Sequence, residues 1–157
     1  MGYHIGTMLI YEHFDDGEIC PLCRIRSVID QRLSEQYLGE GVMEDSTRKE
    51  VNELGFCAEH FDKLYSLHSK LGLALQISTR LKNAKKQAEK ILEANKTCVV
   101  CKYLDDTMER YYRTVSRVYK DDPGFKARIE SGNGFCLGHY AELIRYSAEA
   151  GNKQSEY

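Results

Sequence analysis

Six cysteines and two histidines of this chain fall into one pattern that is written twice. In each copy, a C-x2-C pair is followed, after a long spacer, by a G-F-C-x2-H segment. The eight residues are Cys20, Cys23, Cys57, His60, Cys98, Cys101, Cys136 and His139. Three thiolates and one imidazole are the donors of a closed tetrahedral zinc site. The sequence therefore predicts two Cys3His zinc sites, and two zinc ions per chain.

The two copies are in register, because Cys20 and Cys98 are 78 positions apart while Cys57 and Cys136 are 79 apart. A single C-x2-C would be weak evidence, since it also occurs in thiol oxidoreductases. Buried free thiols, disulfides and iron–sulfur chemistry, which usually takes four thiolates, are the alternatives.

We expect each metal to be held within one copy. Ligation across copies, for example of Cys20 with His139, is the other arrangement that the spacing allows.

Composition places the chain among small globular proteins. With 157 residues, of which 42% are hydrophobic, it is long enough to bury one core or two small ones. The net charge of −2 gives no reason to expect a nucleic-acid partner, and no apolar run is long enough to span a membrane. Residues 1–20 are acidic where a secretory signal would be basic and then apolar. We expect a cytoplasmic protein, whose reduced thiols favour metal ligation over disulfides.

Apolar residues recur with helical periodicity, and no strand pattern is expected. The first helix begins at Pro21, a residue suited to a first helical turn, and ends near Gly39. A short second helix carries Thr47 and Glu50 in capping-box spacing and stops at Gly55. Metal ligands therefore flank helix beginnings, where the helix dipole favours thiolate.

A third helix is expected from 57 to 70, with His68 on its inward face. The second copy repeats this order with a helix over 98–120, a short helix opened by Asp122 and its proline, a Gly-Asn-Gly turn, and a last helix over 136–150. The chain is predicted to be all-α: a duplicated helical repeat joined by a long central helix, each repeat stapled by a Cys3His metal site.

The predicted domains are 1–71, 72–97 and 98–157, the middle one being the long connecting helix. Its apolar seam consists of Ala74, Ile77, Leu81, Ala84, Ala88 and Ile91. We expect this seam to pack along the protomer's own repeats; a homodimer through the 74–91 helix is the alternative. The basic outer face, expected to be solvated, consists of Arg80, Lys82, Lys85, Lys86, Lys90 and Lys96.

A CPLC turn, a helix, a GFC-x2-H segment and then an LGLALQ helix follow one another in the first copy. This order resembles a family of small bacterial proteins classed as a domain of unknown function, which also repeats its cysteine pairs. The likeness covers nearly the whole chain. It implies no particular activity. The second copy has Val99 and Val100 where the first has proline and leucine, a change that leaves the predicted ligands intact.

An enzyme is not favoured, because a catalytic zinc needs an open coordination position that four protein ligands would fill. His13 is a candidate partner for Cys20, outside the ligand set. A thiol-based redox sensor or oxidoreductase using the C-x2-C pairs is the alternative function. The C-x2-C motif of a thiol oxidoreductase usually lies near a βαβ pattern, and this sequence has no such pattern. The sequence favours a zinc-binding, non-catalytic module that acts by binding or regulation, with an unidentified protein as its partner.

Overall fold

The computed structural model describes residues 5–14, 20–84 and 97–148. Every regular element in these ranges is helical, which confirms the all-α prediction. The α-helices are α1 (Ile5–His13), α2 (Pro21–Leu38), α3 (Asp45–Leu54), α4 (Ala58–Ser66), α5 (Lys70–Ala84), α6 (Val99–Asp121), α7 (Pro123–Ser131) and α8 (Leu137–Ser147). A 3-10 turn at Glu40–Val42 connects α2 to α3. None of the helices in the described ranges is long and apolar enough to cross a membrane.

The chain divides into two compact units. The central unit is the continuous stretch Ile29–Asp105, and the terminal unit combines Met1–Val28 with Asp106–Tyr157. The boundaries between them fall within α2 and α6. Each unit thus contains residues from both copies of the sequence pattern.

The central unit is built on α3, which Gly55 ends as predicted. Gly55 has φ 66° and ψ −160°, a conformation that is essentially restricted to glycine. The predicted capping box is wrong. Glu44 occupies the cap position and its carboxylate accepts a hydrogen bond from Thr47 Oγ1 at 2.9 Å, while Glu50 accepts one from the hydroxyl of Tyr103 at 2.7 Å.

The predicted third helix is divided in two. The α4 helix ends at Ser66, and a new helix starts after Ser69, whose Oγ accepts a hydrogen bond from the N–H of Gly72 at 3.1 Å. His68 lies in the connection between them and is exposed, so its predicted inward position is wrong. The buried face of α4 instead carries His60 and Leu64, which are one helical turn apart.

The α5 helix buries a different face from the predicted seam. Leu73 and Gln76 are buried, and Gln76 Nε2 donates to the carbonyl of Tyr37 at 2.9 Å. Ala74 and Leu81 of the predicted seam are exposed. Seam residues Ala88 and Ile91, and the basic residues Lys85, Lys86, Lys90 and Lys96, lie outside the described residues.

Two further predictions for α5 concern Ile77 of the apolar seam and Arg80 of the basic face. Ile77 is half-buried, where it packs against the cluster formed by Leu38, Leu64 and Leu73. Arg80, predicted to be solvated, donates through Nη1 to the carbonyl of Asn52 at 2.7 Å. A guanidinium thus binds the C-terminal end of α3, where helix carbonyls lack partners. Its pKa is lowered by burial.

The terminal unit holds an aromatic cluster around α1, an element that the sequence pattern did not predict. Phe14, which follows α1, packs against Phe125 at a ring-centroid distance of 5.0 Å and against Phe135 at 6.0 Å. The hydroxyl of Tyr11 donates to Asp122 Oδ2 at 2.7 Å. Asp122 also caps α7 as predicted, because its Oδ1 accepts from two backbone N–H groups at 2.9 and 3.1 Å.

Candidate metal centres

The eight predicted ligands are brought together in two clusters, one in each unit. The central cluster is formed by Cys57, His60, Cys98 and Cys101; the terminal cluster is formed by Cys20, Cys23, Cys136 and His139. Within each cluster, the four donor atoms lie within 4.8 Å of one another. Each cluster could therefore hold a metal ion through three sulfurs and one nitrogen.

The expected grouping within one copy is wrong. Each cluster takes its C-x2-C pair from one copy and its G-F-C-x2-H segment from the other. In the central unit, a backbone hydrogen bond connects the segments from the two copies: the N–H of Val99 donates to the carbonyl of Gly55 at 2.9 Å. This bond joins the start of α6 to the loop before Cys57, so the two ligand segments of one cluster are tied together beside the donors.

The central cluster has its histidine nitrogen at nearly equal distances from three sulfurs. His60 Nδ1 lies 3.2 Å from the sulfur of Cys57, 3.4 Å from that of Cys98 and 3.3 Å from that of Cys101. The sulfurs of Cys57 and Cys101 are 3.8 Å apart. Cys98 and His60 are buried.

The terminal cluster has the same geometry. His139 Nδ1 lies 3.5 Å from the sulfur of Cys20, 3.3 Å from that of Cys23 and 3.2 Å from that of Cys136. The sulfurs of Cys23 and Cys136 are 3.6 Å apart. Cys136 is exposed, and the other three donors are partly buried.

These distances fit a tetrahedral coordination sphere better than a hydrogen-bond network. One imidazole nitrogen has a single proton or a single lone pair, so it cannot serve three sulfurs equally. A tetrahedron with Zn–S bonds of about 2.3 Å places its sulfurs about 3.8 Å apart. A disulfide would bring them to about 2.05 Å, and all six cysteines are free thiols. The donor set and its spacing fit a tetrahedrally coordinated metal ion.

Helix N-termini surround both clusters. Cys57 is the cap residue of α4 and Cys136 that of α8, while Cys20 and Cys98 directly precede α2 and α6. Unpaired N–H groups at a helix start carry partial positive charge, which stabilises thiolate. Accordingly, the pKa of Cys136 is lowered, chiefly by a hydrogen bond from the backbone N–H of His139.

Two partly buried thiols, Cys23 and Cys101, have a raised pKa instead. Burial, together with the neighbouring Cys136 and Cys20 thiols, raises the pKa of Cys23 to about 12. Burial and the neighbouring Cys98 and Cys57 thiols do the same for Cys101, to about 12. A metal ion that binds three thiolates must displace these protons, and its double positive charge is what allows three sulfur anions to share one site.

Asp30 is a functional candidate that sequence reasoning missed. Its Oδ1 lies 3.1 Å from Nε2 of His60, the ring nitrogen opposite the donor atom, and its Oδ2 accepts from Lys63 Nζ at 2.7 Å. A carboxylate on the far nitrogen of a ligating histidine fixes the tautomer and the ring orientation, and increases the basicity of the donor. Asp30 lies outside both motifs, and nothing in its spacing distinguishes it from an ordinary helix-surface residue.

The remaining histidines do not join either cluster. His13 forms no hydrogen bond with Cys20 within the described ranges, so its predicted role beside that ligand is not seen. His4 lies outside the described residues.

The terminal ligand His139 favours its neutral form, because burial and the nearby positive charge of Arg26 lower its pKa. The neutral form leaves a lone pair free to bind a metal.

An all-helical protein with two Cys3His clusters is the class that the fold and these sites define. The chain belongs to a family of unknown function, DUF6062, whose profile matches residues 1–97 and 83–157 and thus both copies of the pattern. It is also similar to an uncharacterized 23.9 kDa protein in the xynA 3′ region of Caldicellulosiruptor sp. (strain Rt8B.4). The two are 23% identical over 150 residues, which cover 91% of this chain and 73% of the relative. No solved structure matches the chain significantly.

Proposed function

We propose that the protein binds two zinc ions, one in each cluster, and that zinc holds the ligand-bearing helix starts of each unit together. The observation that carries this proposal is the near-equal distance of one imidazole nitrogen from three sulfurs, repeated in both clusters. Zinc takes such sets of three sulfurs and one nitrogen in closed structural sites. Other ions that favour thiolates, iron among them, are outcomes of the test.

The proposed role is structural at the metal and non-catalytic overall. Four protein donors complete a tetrahedron, which leaves no position for the activated water or substrate of a zinc enzyme. Zinc binding to small Cys and His sites contributes about 10–16 kcal/mol of apparent free energy, which becomes folding free energy when the site is absent from the unfolded chain. In units this small, whose cores bury a smaller share of their surface than those of larger domains, such a contribution is a large part of the total stability.

We infer that the zinc-stapled units present a surface to a protein partner in the cytoplasm. The net charge of the chain, −2, does not favour nucleic acid as the partner. Exposed apolar side chains on α5, which are Leu71, Leu75 and Leu81, support a protein contact, either with another protein or with a second copy of the chain. A reducing compartment fits a chain with six free thiols.

Redox sensing is the second candidate, and one observation favours it. Cys136 is exposed and its sulfur is 3.6 Å from that of Cys23, a distance that a small movement would close to a disulfide. Oxidation by a hydroperoxide would then release the metal from the terminal cluster. Reactive thiols counted before and after peroxide treatment, together with metal content, distinguish this function from a purely structural one.

The proposal is tested by elemental analysis of protein purified without added metal, with X-ray absorption to identify the ion and its donors. We expect about two zinc ions per chain, each with three sulfurs and one nitrogen. Replacement by cobalt should give the visible absorption of tetrahedral thiolate coordination. Protein without metal, or with a coloured iron chromophore, would contradict the proposal. The double variant Cys23→Ser/Cys57→Ser, which has one donor removed from each cluster, is the matched control for adventitious metal.

A further inference from the structure

The two clusters have the same donors but different surroundings. In the central cluster, two of the four ligands are buried: Cys98 is 6% exposed and His60 is 8% exposed. In the terminal cluster none is fully buried, and Cys136 is exposed. The next residue, Leu137, is 87% exposed, so the approach to Cys136 from solvent is open. An incoming ligand therefore has more direct access to the terminal donor set than to the central one, of which Cys57 and Cys101 are partly buried and the other two donors buried.

The backbone bond that ties the central ligand segments cannot form at the terminal cluster. In the central unit, the N–H of Val99 donates to the carbonyl of Gly55. The corresponding positions in the terminal unit are Pro21 and Gly134, given the offsets of 78 and 79 between the copies. Proline has no backbone N–H and cannot donate. The C-x2-C turn and the G-F-C-x2-H loop of the terminal cluster therefore lack this connection.

The loops beside the clusters are also covered differently. A Cβ placed on Gly55 would lie 2.6 Å from the guanidinium carbon of Arg80, which covers the loop of the central cluster. A Cβ placed on Gly134 would meet no atom within 4 Å among the described residues. The loop before Cys136 thus has free space where the loop before Cys57 is held by a side chain.

The histidine ligands differ in their support as well. Asp30 binds the far nitrogen of His60 and is itself held by Lys63. In the second copy, Met108 stands at the position corresponding to Asp30, and a thioether cannot replace a carboxylate there. Among the described residues, none forms a hydrogen bond with Nε2 of His139. The ring of Tyr112, 6.0 Å away, is the aromatic contact of that imidazole.

From these four differences, we propose that the terminal cluster is an exchangeable metal site and the central cluster a permanent one. This proposal rests on the proposed function, since it needs metal in both clusters. With zinc bound, exchange would be a ligand substitution in which an incoming small thiolate takes the place of Cys136, the most exposed donor, and the released Cys136 thiolate takes a proton from water. No oxidation state changes. Further thiolates would replace Cys20, Cys23 and His139 one at a time, and the ion would leave as a complex with the incoming thiolates.

The experiment follows metal release from the full chain loaded with two zinc ions. A chromogenic chelator, 4-(2-pyridylazo)resorcinol, is added in excess, with and without reduced glutathione as the small thiol. We expect two phases of one equivalent each, the first about 10–100-fold faster, which is the factor in metal affinity that an outer-shell partner contributes, taken here to act on the rate of release. Glutathione should accelerate the first phase alone. Release of both ions in one phase would overturn the proposal.

Alkylation assigns the phases without any substitution. After the first phase, iodoacetamide is added and the labelled cysteines are mapped by peptide mass. Labels on Cys20, Cys23 and Cys136, with the other three cysteines protected, would support the assignment. Labels on Cys57, Cys98 and Cys101 instead would overturn it. A preparation that starts with fewer than two bound ions would contradict the proposed function itself, so the two failures are distinguishable.

A single substitution tests the cause of the difference. Val99→Pro removes the N–H donor at the central cluster and keeps a residue suited to the first position of α6. We expect the slow phase to become several-fold faster while the fast phase stays unchanged. Val100→Ala, which alters the neighbouring buried side chain but keeps both N–H groups, is the matched control. An equal effect of the two variants would show that packing, rather than the hydrogen bond, retains the ion.

Discussion

The sulfur of Cys23 lies 3.6 Å from the sulfur of Cys136, although 113 positions separate the two residues. The nearer G-F-C-x2-H segment, which includes Cys57, belongs to the other cluster. The duplication of the sequence is therefore not a duplication of independent metal-binding modules. Each unit needs a contribution from both copies.

This pairing predicts the metal content of double variants. Cys23→Ser/Cys136→Ser removes two donors from one cluster and should leave about one zinc per chain. Cys23→Ser/Cys57→Ser also removes two donors, but one from each cluster, and should leave none. Elemental analysis of both proteins checks the prediction. The reverse result, with the second variant keeping one ion, would restore ligation within each copy.

Asp30→Asn should weaken metal binding at the central cluster alone. Loss of the carboxylate on the far nitrogen of a ligating histidine typically reduces metal affinity by about 10–100-fold. Competition with a chelator of known affinity measures the effect on each bound equivalent. Asp62→Asn, at an exposed position of α4, is the control and should change neither. A loss of both ions to the same extent would mean that Asp30 acts on the fold as a whole.

Asp122→Ala should lower the thermal midpoint by a few degrees at neutral pH, because it removes the cap of α7 and the acceptor of Tyr11. These hydrogen bonds lower the pKa of Asp122, so their stabilisation is present above the ordinary aspartate pKa and is lost as pH falls through the lowered value. The difference between the two proteins should disappear in strong acid. Asp121→Ala, at the exposed neighbouring position, should show neither effect.

Gly55→Ala should destabilise more than Gly134→Ala. Both residues have positive φ, 66° and 78°, and alanine there is strained by about 1–2 kcal/mol. At Gly55 the added methyl group must also displace the guanidinium of Arg80 from its carbonyl partners. Chemical unfolding of the metal-loaded proteins measures both free energies. Equal losses would show that Arg80 moves aside without consequence.

Ile77→Asp should reduce the free energy of unfolding by about 1–3 kcal/mol, since it places a charge beside the Leu38, Leu64 and Leu73 cluster. Leu81→Asp, at a position that is 58% exposed, should leave stability nearly unchanged. Calorimetry gives the stability and light scattering the mass. We expect both variants and the parent to have the same mass. Dissociation of a dimer by Leu81→Asp would assign the exposed side of α5 to association instead.

The sequence predicted the helices that carry strong local signals. Pro21 starts α2 and Asp122 caps α7, as their residue types require, and all eight ligand candidates reach a cluster. The pairing was not predictable, because four-residue motifs that occur twice fit either arrangement and only tertiary packing decides. The same limit applies to Asp30, which acts through a contact with His60 thirty positions away. His68 was misplaced because α4 ends at Ser66, one turn earlier than the periodicity predicted, so the residue lies in the connection to α5 and not on a helix face.

The arrangement of the two units also sets an order in time. The central unit takes its donors from one continuous stretch, so all four exist once the ribosome has passed Cys101. Cys20 and Cys23, although made first, have no partner segment until Cys136 and His139 are synthesised. Closing the longer loop, 113 positions rather than 44, adds only about 0.8 kcal/mol of entropy. The order of synthesis, rather than the entropy of loop closure, therefore delays the terminal cluster. Until His139 is made, the nascent chain carries Cys20 and Cys23 as thiols without their partner segment.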